Sequence, residues 1–397
     1  MPGVDIQATA FLNVLRGDWL RRLPLGLEKA ALTLFGIFAG ASLVLFRPIK
    51  AVFIALAGML FVAAVNYFLF KYYFHWFPWL IIVAQIALAL LWSILFNSIQ
   101  LYVQKRLAEQ TLALYLSPKL VKKYSQQKFS GGDSNLLKPG AEKQMLTILF
   151  SDIAGFTSIS EGMDSDELAK LMNNYFETAV SKCVHKTDGT VVKYIGDAIF
   201  AFWNAPELQI DHQMRACEAA MRFQAQEVQY INNQALVTRI GLHTGIANVG
   251  NFGSTTRIDY TAIGENINLA SRMEGLNKYL GTEILITGET EAGVRDRLVT
   301  RFLGLFKLKG FEKSVEVYQL IGSLDELEST RALREAFARA LQEFQEKRFD
   351  AAESSFRSVL EIKPDDGPAK FYLHQIEDMR RETLPADWKG EVELKDK

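Results

Sequence analysis

Two aspartates stand at the ends of apolar runs, in Phe150-Ser151-Asp152-Ile153-Ala154-Gly155-Phe156-Thr157 and in Tyr194-Ile195-Gly196-Asp197-Ala198. Carboxylates on adjacent strand ends supply hard oxygen donors, which suit Mg²⁺ or Mn²⁺. A pair of such cations suits chemistry on a nucleoside triphosphate. A single aspartate here also reads as the cap of a following helix; two in this setting fit that reading poorly. The loop through Gly155, Phe156 and Thr157 can hold phosphates with its amides at a helix start. Further along, Asn268 and Arg272 are four apart in a helical segment and share a face. Alone, they would read as a helix cap and a surface ion-pair partner. His243, in Gly241-Leu242-His243-Thr244-Gly245, reads as closing a strand before a turn rather than as a general base.

The elements that must position these residues lie between Lys143 and about Gly322. Strands are expected over Met145–Phe150, Val237–Thr244, Glu283–Thr287 and Val315–Ile321, with a hairpin of Thr190–Tyr194 and Ala198–Trp203 around Gly196-Asp197. Helices are expected over Ser165–Lys186, Asp211–Asn232 and Asn266–Leu276. The βαββαβ order predicts an α+β, ferredoxin-like sheet with additions.

Three apolar stretches, roughly Ala30–Phe46, Ala51–Phe70 and Phe77–Phe96, precede that block. Each approaches the roughly 17–25 residues a membrane-spanning helix needs. Buried core helices are the alternative, which three nearly uncharged stretches in a row make a poor one. Trp76, Trp79, Trp92 and nearby tyrosines include residues suited to membrane edges. Ile99, Val103, Leu107 and Leu114 fall on one helical face, suited to pairing with a second copy or to lying on the chain's own domain. Lys128 to Gly140 reads as a linker, whose Gly131-Gly132-Asp133 continues Ser134-Asn135 and so lacks the diguanylate cyclase signature. From Thr330 the pattern is helical: Leu333, Phe337, Ala340, Leu341 and Phe344, then Ala351, Ala352, Phe356, Val359 and Leu360, then Tyr372, Leu373 and Ile376. This tail resembles one tetratricopeptide unit plus a helix, and a lone unit must pack on the catalytic domain or a partner. The expected divisions are 1–28, an extracytoplasmic stub; 29–97, three spans; 98–142, a juxtamembrane helix and linker; 143–322, the catalytic domain; and 323–397, the helical tail.

Lys+Arg 44 against Asp+Glu 45 leaves a net charge of -1 over 397 residues, which gives no support for a nucleic-acid surface. The two cysteines, Cys183 and Cys217, read as reduced packing residues.

Four motifs in order, Phe150–Thr157, Lys193-Tyr194-Ile195-Gly196-Asp197, Gly241–Gly245 and Asn268-Leu269-Ala270-Ser271-Arg272, resemble the class III nucleotidyl cyclase catalytic domain over about 180 residues. The resemblance implies formation of a cyclic nucleotide and pyrophosphate from a nucleoside triphosphate at a head-to-tail homodimer interface. It implies two divalent cations held by Asp152, Asp197 and the backbone of Ile153. Gly155, Phe156 and Thr157 would bind phosphates. Asn268 would orient the ribose and Arg272 would stabilise charge at the α-phosphate. Lys309 matches a lysine on the terminal phosphates, with Lys307 a close rival. Lys193 and Thr261 resemble the base-selecting pair of an adenylyl subgroup in which threonine replaces the usual aspartate; guanylyl members carry glutamate and cysteine. ATP is thus the expected substrate.

Facing the nucleotide pool puts the catalytic domain in the cytoplasm of a multi-pass protein of the inner membrane, in contact with lipid. Arg47, Lys50, Lys105 and Arg106 then fall inside, as the positive-inside rule asks, while Arg16, Arg21, Arg22 and Lys29 do not. Pro2-Gly3-Val4-Asp5-Ile6-Gln7-Ala8 followed by Arg16-Gly17-Asp18 resembles the end of a CHASE-type extracellular sensor ahead of three spans in bacterial receptors, implying a truncated or internal start. The competing readings are a guanylyl cyclase, a catalytically silent receptor or scaffold, and a transport protein, the last disfavoured by spans lacking charges.

Overall fold

The computed structural model describes residues 3–17, 19–113, 140–224, 230–231, 234–254, 258–381 and 388–394. Leu114 and the linker from Lys128 to Pro139 lie outside the described residues. The chain divides into two compact units, Met1–Leu112 and Ala113–Lys397.

The first unit contains α1 (Gly3–Arg16), α2 (Leu25–Val44), α3 (Pro48–Tyr73) and α4 (Trp79–Ala113). Three of these helices are long and apolar enough to cross a membrane: Leu25–Val44, Pro48–Tyr73 and Trp79–Leu107. Proline at the first position of α3 starts that helix without losing a needed amide. Small residues, Ala39, Ala51, Ala55 and Ala89, are buried where the helices meet, with Leu43 and Ile86 between them. Close approach of backbones over small side chains is how helices associate where lipid offers no hydrophobic drive. Ser93 Oγ donates to the carbonyl of Leu43 at 2.8 Å, and Gln85 Nε2 to that of Leu32 at 3.1 Å. Ile99, Val103 and Leu107 lie on α4 itself, which runs unbroken from the third span, and all three are exposed.

The second unit is built on a nine-stranded sheet among the described residues. In chain order its elements are β1 (Gly140–Ile153), α5 (Phe156–Glu161), α6 (Ser165–Ala179), β2 (Thr190–Ile195), β3 (Ala198–Trp203), α7 (His212–Phe223), the short pair β4 (Tyr230–Ile231) and β5 (Gln234–Ala235), then β6 (Thr238–Gly253), β7 (Ile258–Ile263), α8 (Glu265–Leu280), β8 (Ile284–Thr287), α9 (Gly288–Glu291), β9 (Leu298–Lys307), β10 (Val315–Ser323), α10 (Arg331–Gln345), α11 (Phe349–Ile362), α12 (Gly367–Met379) and β11 (Glu391–Glu393). The strand order is β11-β9-β10-β8-β6-β1-β3-β2, with β7 paired to β6 outside that path. β1 is central: it runs antiparallel to β6 along its whole length and to β3 over Thr147–Ser151. That suits its largely apolar run: Leu146 and Ile148 are fully buried in one cluster with Ile267 and Ala270 of α8, and Leu149 in another with Ala216 and Ala220 of α7.

Some elements depart from expectation. The helix expected over Asp211–Asn232 ends at Phe223, and Tyr230–Ile231 is a strand paired to Gln234–Ala235. The helix expected over Ser165–Lys186 is α-helical only to Ala179. It then widens into a π turn over Val180–Val184 and tightens over His185–Thr187 before Asp188 takes a left-handed φ of 58°. Burial explains the change: Thr187 Oγ1 donates back to the carbonyl of Cys183, while Trp203 Nε1 donates to the carbonyl of Thr187. The C-terminal helices α10, α11 and α12 pack on the catalytic sheet, burying Phe337, Phe344, Phe356 and Tyr372 against Leu303 and Phe306 of β9.

Candidate active site

β1 ends where its sequence turns from apolar to small. Ala154 N–H closes the strand by donating to the carbonyl of Val237 at 2.8 Å, and Gly155 adopts a left-handed φ of 70° as the N-cap of α5. Glycine accepts that conformation at no steric cost. Asp152 is therefore not the cap. It projects from the last turn of the strand, directly across the antiparallel ladder from Arg239. The β2–β3 hairpin reverses at Gly196, φ 64°, and so delivers Asp197 to the same place. The Ile153 N–H donates to Asp197 Oδ2 at 3.2 Å.

The two carboxylates act on each other. Burial, then the negative charge of Asp197 and a hydrogen bond with it, raise Asp152 to about 6, against the opposing pull of Arg239. A half-buried acidic pair held this close is under electrostatic tension that a divalent cation would relieve. Among the described residues, no three His, Cys, Asp or Glu side chains form a metal-holding group. A cation here would complete its shell with the Ile153 carbonyl, water and phosphate oxygens, the manner in which Mg²⁺ is usually held. The donor set fits that group.

Two neighbours escaped the sequence reading. Arg239 is the cation that acts on Asp152, and Glu274, on α8, is raised to about 7 by burial first and then by the charge of Asp152. The signal for Arg239 was available only through register, since it needs β1 and β6 aligned so that Asp152 meets Arg239. Glu274 lies two residues beyond Arg272, and its inward direction was not legible without the packing of α8.

Asn268 and Arg272 share the exposed side of α8, while Leu269, Met273, Leu276 and Leu280 are buried on the other. Gly264 is the N-cap, so Asn268 does not cap the helix. Among the described residues neither side chain has a hydrogen-bond or ion-pair partner, and none links them to Asp152 or Asp197. The start of α8 is fixed by its neighbour Asn266, whose Oδ1 lies 2.9 Å from His243 Nε2 and whose Nδ2 donates to the carbonyl of Ile246 at 2.8 Å. A side chain at Gly245 would collide with Asn266, so glycine is needed there. His243 Nδ1 in turn lies 2.9 Å from Thr287 Oγ1. With both ring nitrogens engaged, and burial lowering its affinity for a proton, His243 is a neutral structural residue.

Lys193 is exposed on β2, and Thr261 is buried on β7 opposite Gly250. Lys309 is exposed in the turn after β9, beside Gly310 with a φ of 90°. Lys307 Nζ approaches Glu393 Oε1 at 3.8 Å, whereas Lys309 has no such partner among the described residues. The structure thus gathers Asp152, Ile153 and Asp197, with Gly155–Thr157 adjoining. It brings none of Lys193, Thr261, Asn268, Arg272 and Lys309 into contact with the carboxylate pair.

Residues 139–322 match the family described as "Adenylate and Guanylate cyclase catalytic domain". Adenylate cyclase 1 of Rhizobium meliloti is 36% identical over 228 residues, covering 56% of this chain and 33% of that protein. The adenylate cyclase of Anabaena cylindrica is 33% identical over 208 residues, covering 48% of this chain and 39% of its own. This chain therefore spans about a third of the length of the curated relatives it matches. A crystal structure of the adenylyl cyclase CyaB from P. aeruginosa shares 35% identity, covers 47% of this chain and 97% of its own, and gives a TM-score of 0.42. Segment 139–322, with its paired strand-end aspartates, belongs to the adenylate and guanylate cyclase catalytic-domain family.

Proposed function

We propose that this chain is a membrane-bound adenylyl cyclase that converts ATP to 3′,5′-cyclic AMP and pyrophosphate at sites shared by two copies. The observation that carries the reading is the separation of two residue sets. Asp152 and Asp197 are preassembled, while Asn268 and Arg272 stand exposed on another element with no partner among the described residues. A second copy placed head to tail would bring one set to the other and give two equivalent sites.

In such a site the 3′-oxygen bonds to the α-phosphorus, the bond from that phosphorus to pyrophosphate breaks, and the hydroxyl proton leaves to solvent. Two divalent cations, held by Asp152, Asp197 and the Ile153 carbonyl, would activate the attacking oxygen and neutralise the leaving group. The amides at Gly155, Phe156 and Thr157 orient the phosphates. Asn268 orients the ribose, and Arg272 meets charge developing at the α-phosphate, where a preplaced cation acts most strongly in the transition state. Lys309 binds the terminal phosphates. Lys193 donates to adenine N1, and Thr261 supports the contact to the 6-amino group. The names of the relatives, both adenylate cyclases, favour ATP over GTP.

In this reading the protein is held in the inner membrane by its three apolar helices, each long enough to cross one, with the catalytic domain in the cytoplasm. Ile99 and Val103, exposed at a spacing of four on α4, suit pairing with the second copy. The outer face of the helical tail is available to a protein partner.

Cyclic-nucleotide formation from ATP and from GTP with Mn²⁺, beside an Asp152→Ala control, tests the reading. Cyclic AMP that vanishes in the control supports it. Cyclic GMP in its place would overturn the assignment of Lys193 and Thr261, and no product from dimeric protein would favour the silent receptor.

A further inference from the structure

The helical tail lies outside the segment that matches the cyclase family, yet it meets the helix that carries Asn268 and Arg272. The buried face of α8, Leu269, Met273, Leu276 and Leu280, belongs to one apolar cluster with Phe337, Phe356 and Tyr372 of the tail. The ends of the two helices touch backbone to backbone. α8 ends at Gly281 in a left-handed conformation, φ 60°, and α12 begins at Gly367. A Cβ on Gly367 would sit 2.2 Å from the carbonyl oxygen of Leu280 and 2.8 Å from Gly281 Cα. No side chain fits that joint.

Two further contacts lock it. Asp366, the N-cap of α12, accepts from Ala369 N–H and receives both Arg301 Nη atoms, at 2.8 and 3.3 Å, in a pair that is almost wholly buried. Breaking one partner of such a pair strands a buried charge. At Leu303, β9 slips register against β10, which frees the Leu303 carbonyl from the ladder. Tyr372 Oη donates to it at 2.6 Å. Gly304, with φ 123°, leaves room for that hydroxyl.

We infer that the tail is a positioning element of the catalytic machinery, setting α8 and through it Asn268 and Arg272, with the Gly281–Gly367 joint as its point of action. This rests on the shared-site reading above. It also explains why the tail is packed on the sheet rather than held apart as an adaptor.

Protomer mixing in the full-length chain tests it. Displacing catalytic groups by about 1 Å can cost on the order of 10²-fold in rate. Gly367→Ala should therefore lower kcat for cyclic AMP formation at least about tenfold with KM for ATP little changed. Its damage is confined to α8, so a Gly367→Ala protomer still offers intact Asp152 and Asp197. Mixed with Asp152→Ala protomers it should recover roughly a quarter of wild-type activity, since half of random dimers are mixed and each has one intact site. Mixed with Arg272→Ala protomers it should recover almost nothing. General destabilisation would not produce that asymmetry. Arg357→Ala, which breaks only the surface pair with Glu353, should leave activity unchanged. Where Gly367→Ala fails to fold, Tyr372→Phe goes through the same pairings with a smaller loss.

Full activity of Gly367→Ala and Tyr372→Phe, or equal recovery with both partners, would overturn the inference. Mixing Asp152→Ala with Arg272→Ala protomers is the parallel control. Its failure would sink the shared-site reading, and this inference with it; its success alongside symmetric recovery would sink this inference alone.

Discussion

The end of β1 and the exposed face of α8 are built in opposite ways. At the strand end, Asp152 and Asp197 are half-buried and close enough to disturb each other, and the Ile153 amide already binds one of them. On α8, Asn268 and Arg272 reach into solvent with nothing to hold them among the described residues, although the helix beneath is anchored at its start by Asn266 and at its end by Gly281. The first region stores electrostatic tension for a cation to relieve. The second is an anchored helix face whose two polar groups, in the proposed site, meet their partner from the second copy. An arginine that stabilises a transition state gains nothing from a partner in the resting state, since only interactions stronger in the transition state raise kcat.

The largest effect should come from the strand end. Asp197→Ala removes the proposed cation ligand and the acceptor for the Ile153 amide, and cyclic AMP formation should fall by about 10³-fold or more, in line with loss of metal-assisted charge stabilisation. Excess Mn²⁺ should not restore it. If Asp197→Ala kept a tenth of the activity, the carboxylate pair would be a structural feature only.

Next comes the helix face. Arg272→Ala should lower kcat by about 10²- to 10³-fold while KM for ATP stays within about threefold, as expected for a group that acts in the transition state. Asn268→Ala should cost less, about 10²-fold. Unfolding temperatures should not move, because both side chains are exposed and have no partner among the described residues. A large loss of stability would mean that they hold the fold rather than the substrate.

Lys193 and Thr261, the proposed base-selecting pair, should give an intermediate effect. Lys193→Glu combined with Thr261→Cys should lower the preference for ATP over GTP by about tenfold or more, since a site built to bond one base edge rejects the other through unpaired polar groups. Steady-state rates with each nucleotide measure this.

The smallest effect concerns Glu274. Its carboxyl is raised above the usual range in the folded state, to about 7, so the folded protein holds the proton more tightly than the unfolded chain. Stability from this group is present in acid and is lost as pH rises from the ordinary carboxylate range through about 7. Without divalent cations, Glu274→Gln should therefore stabilise the protein at pH 8, on the order of 1–2 kcal/mol after allowing for partial solvent screening, and do nothing at pH 4. Thermal unfolding at the two pH values checks it; equal shifts at both would assign the effect to packing.

Much of the catalytic domain was legible because its signals are local. The apolar run ending in Asp152, the glycine turn before Asp197 and the four-residue spacing of Asn268 and Arg272 each follow from short-range chemistry. What escaped depends on partners distant in the chain. The strands β7 and β9 were missed, and so was β11, three residues that join the sheet edge in parallel with β9. Arg239 and Glu274 became visible only when register and helix packing were known. The tail helices were readable from their apolar faces. Their joint to α8 was not, because Gly281 and Gly367 show nothing in sequence of the backbone contact they permit.

The most direct test of a site shared between copies is to mix inactive protomers. Asp152→Ala and Arg272→Ala chains, each inactive alone, should together regain roughly a quarter of wild-type cyclic AMP formation, with half the dimers mixed and one intact site in each. Confirmed mixed dimers with no activity would contradict the account.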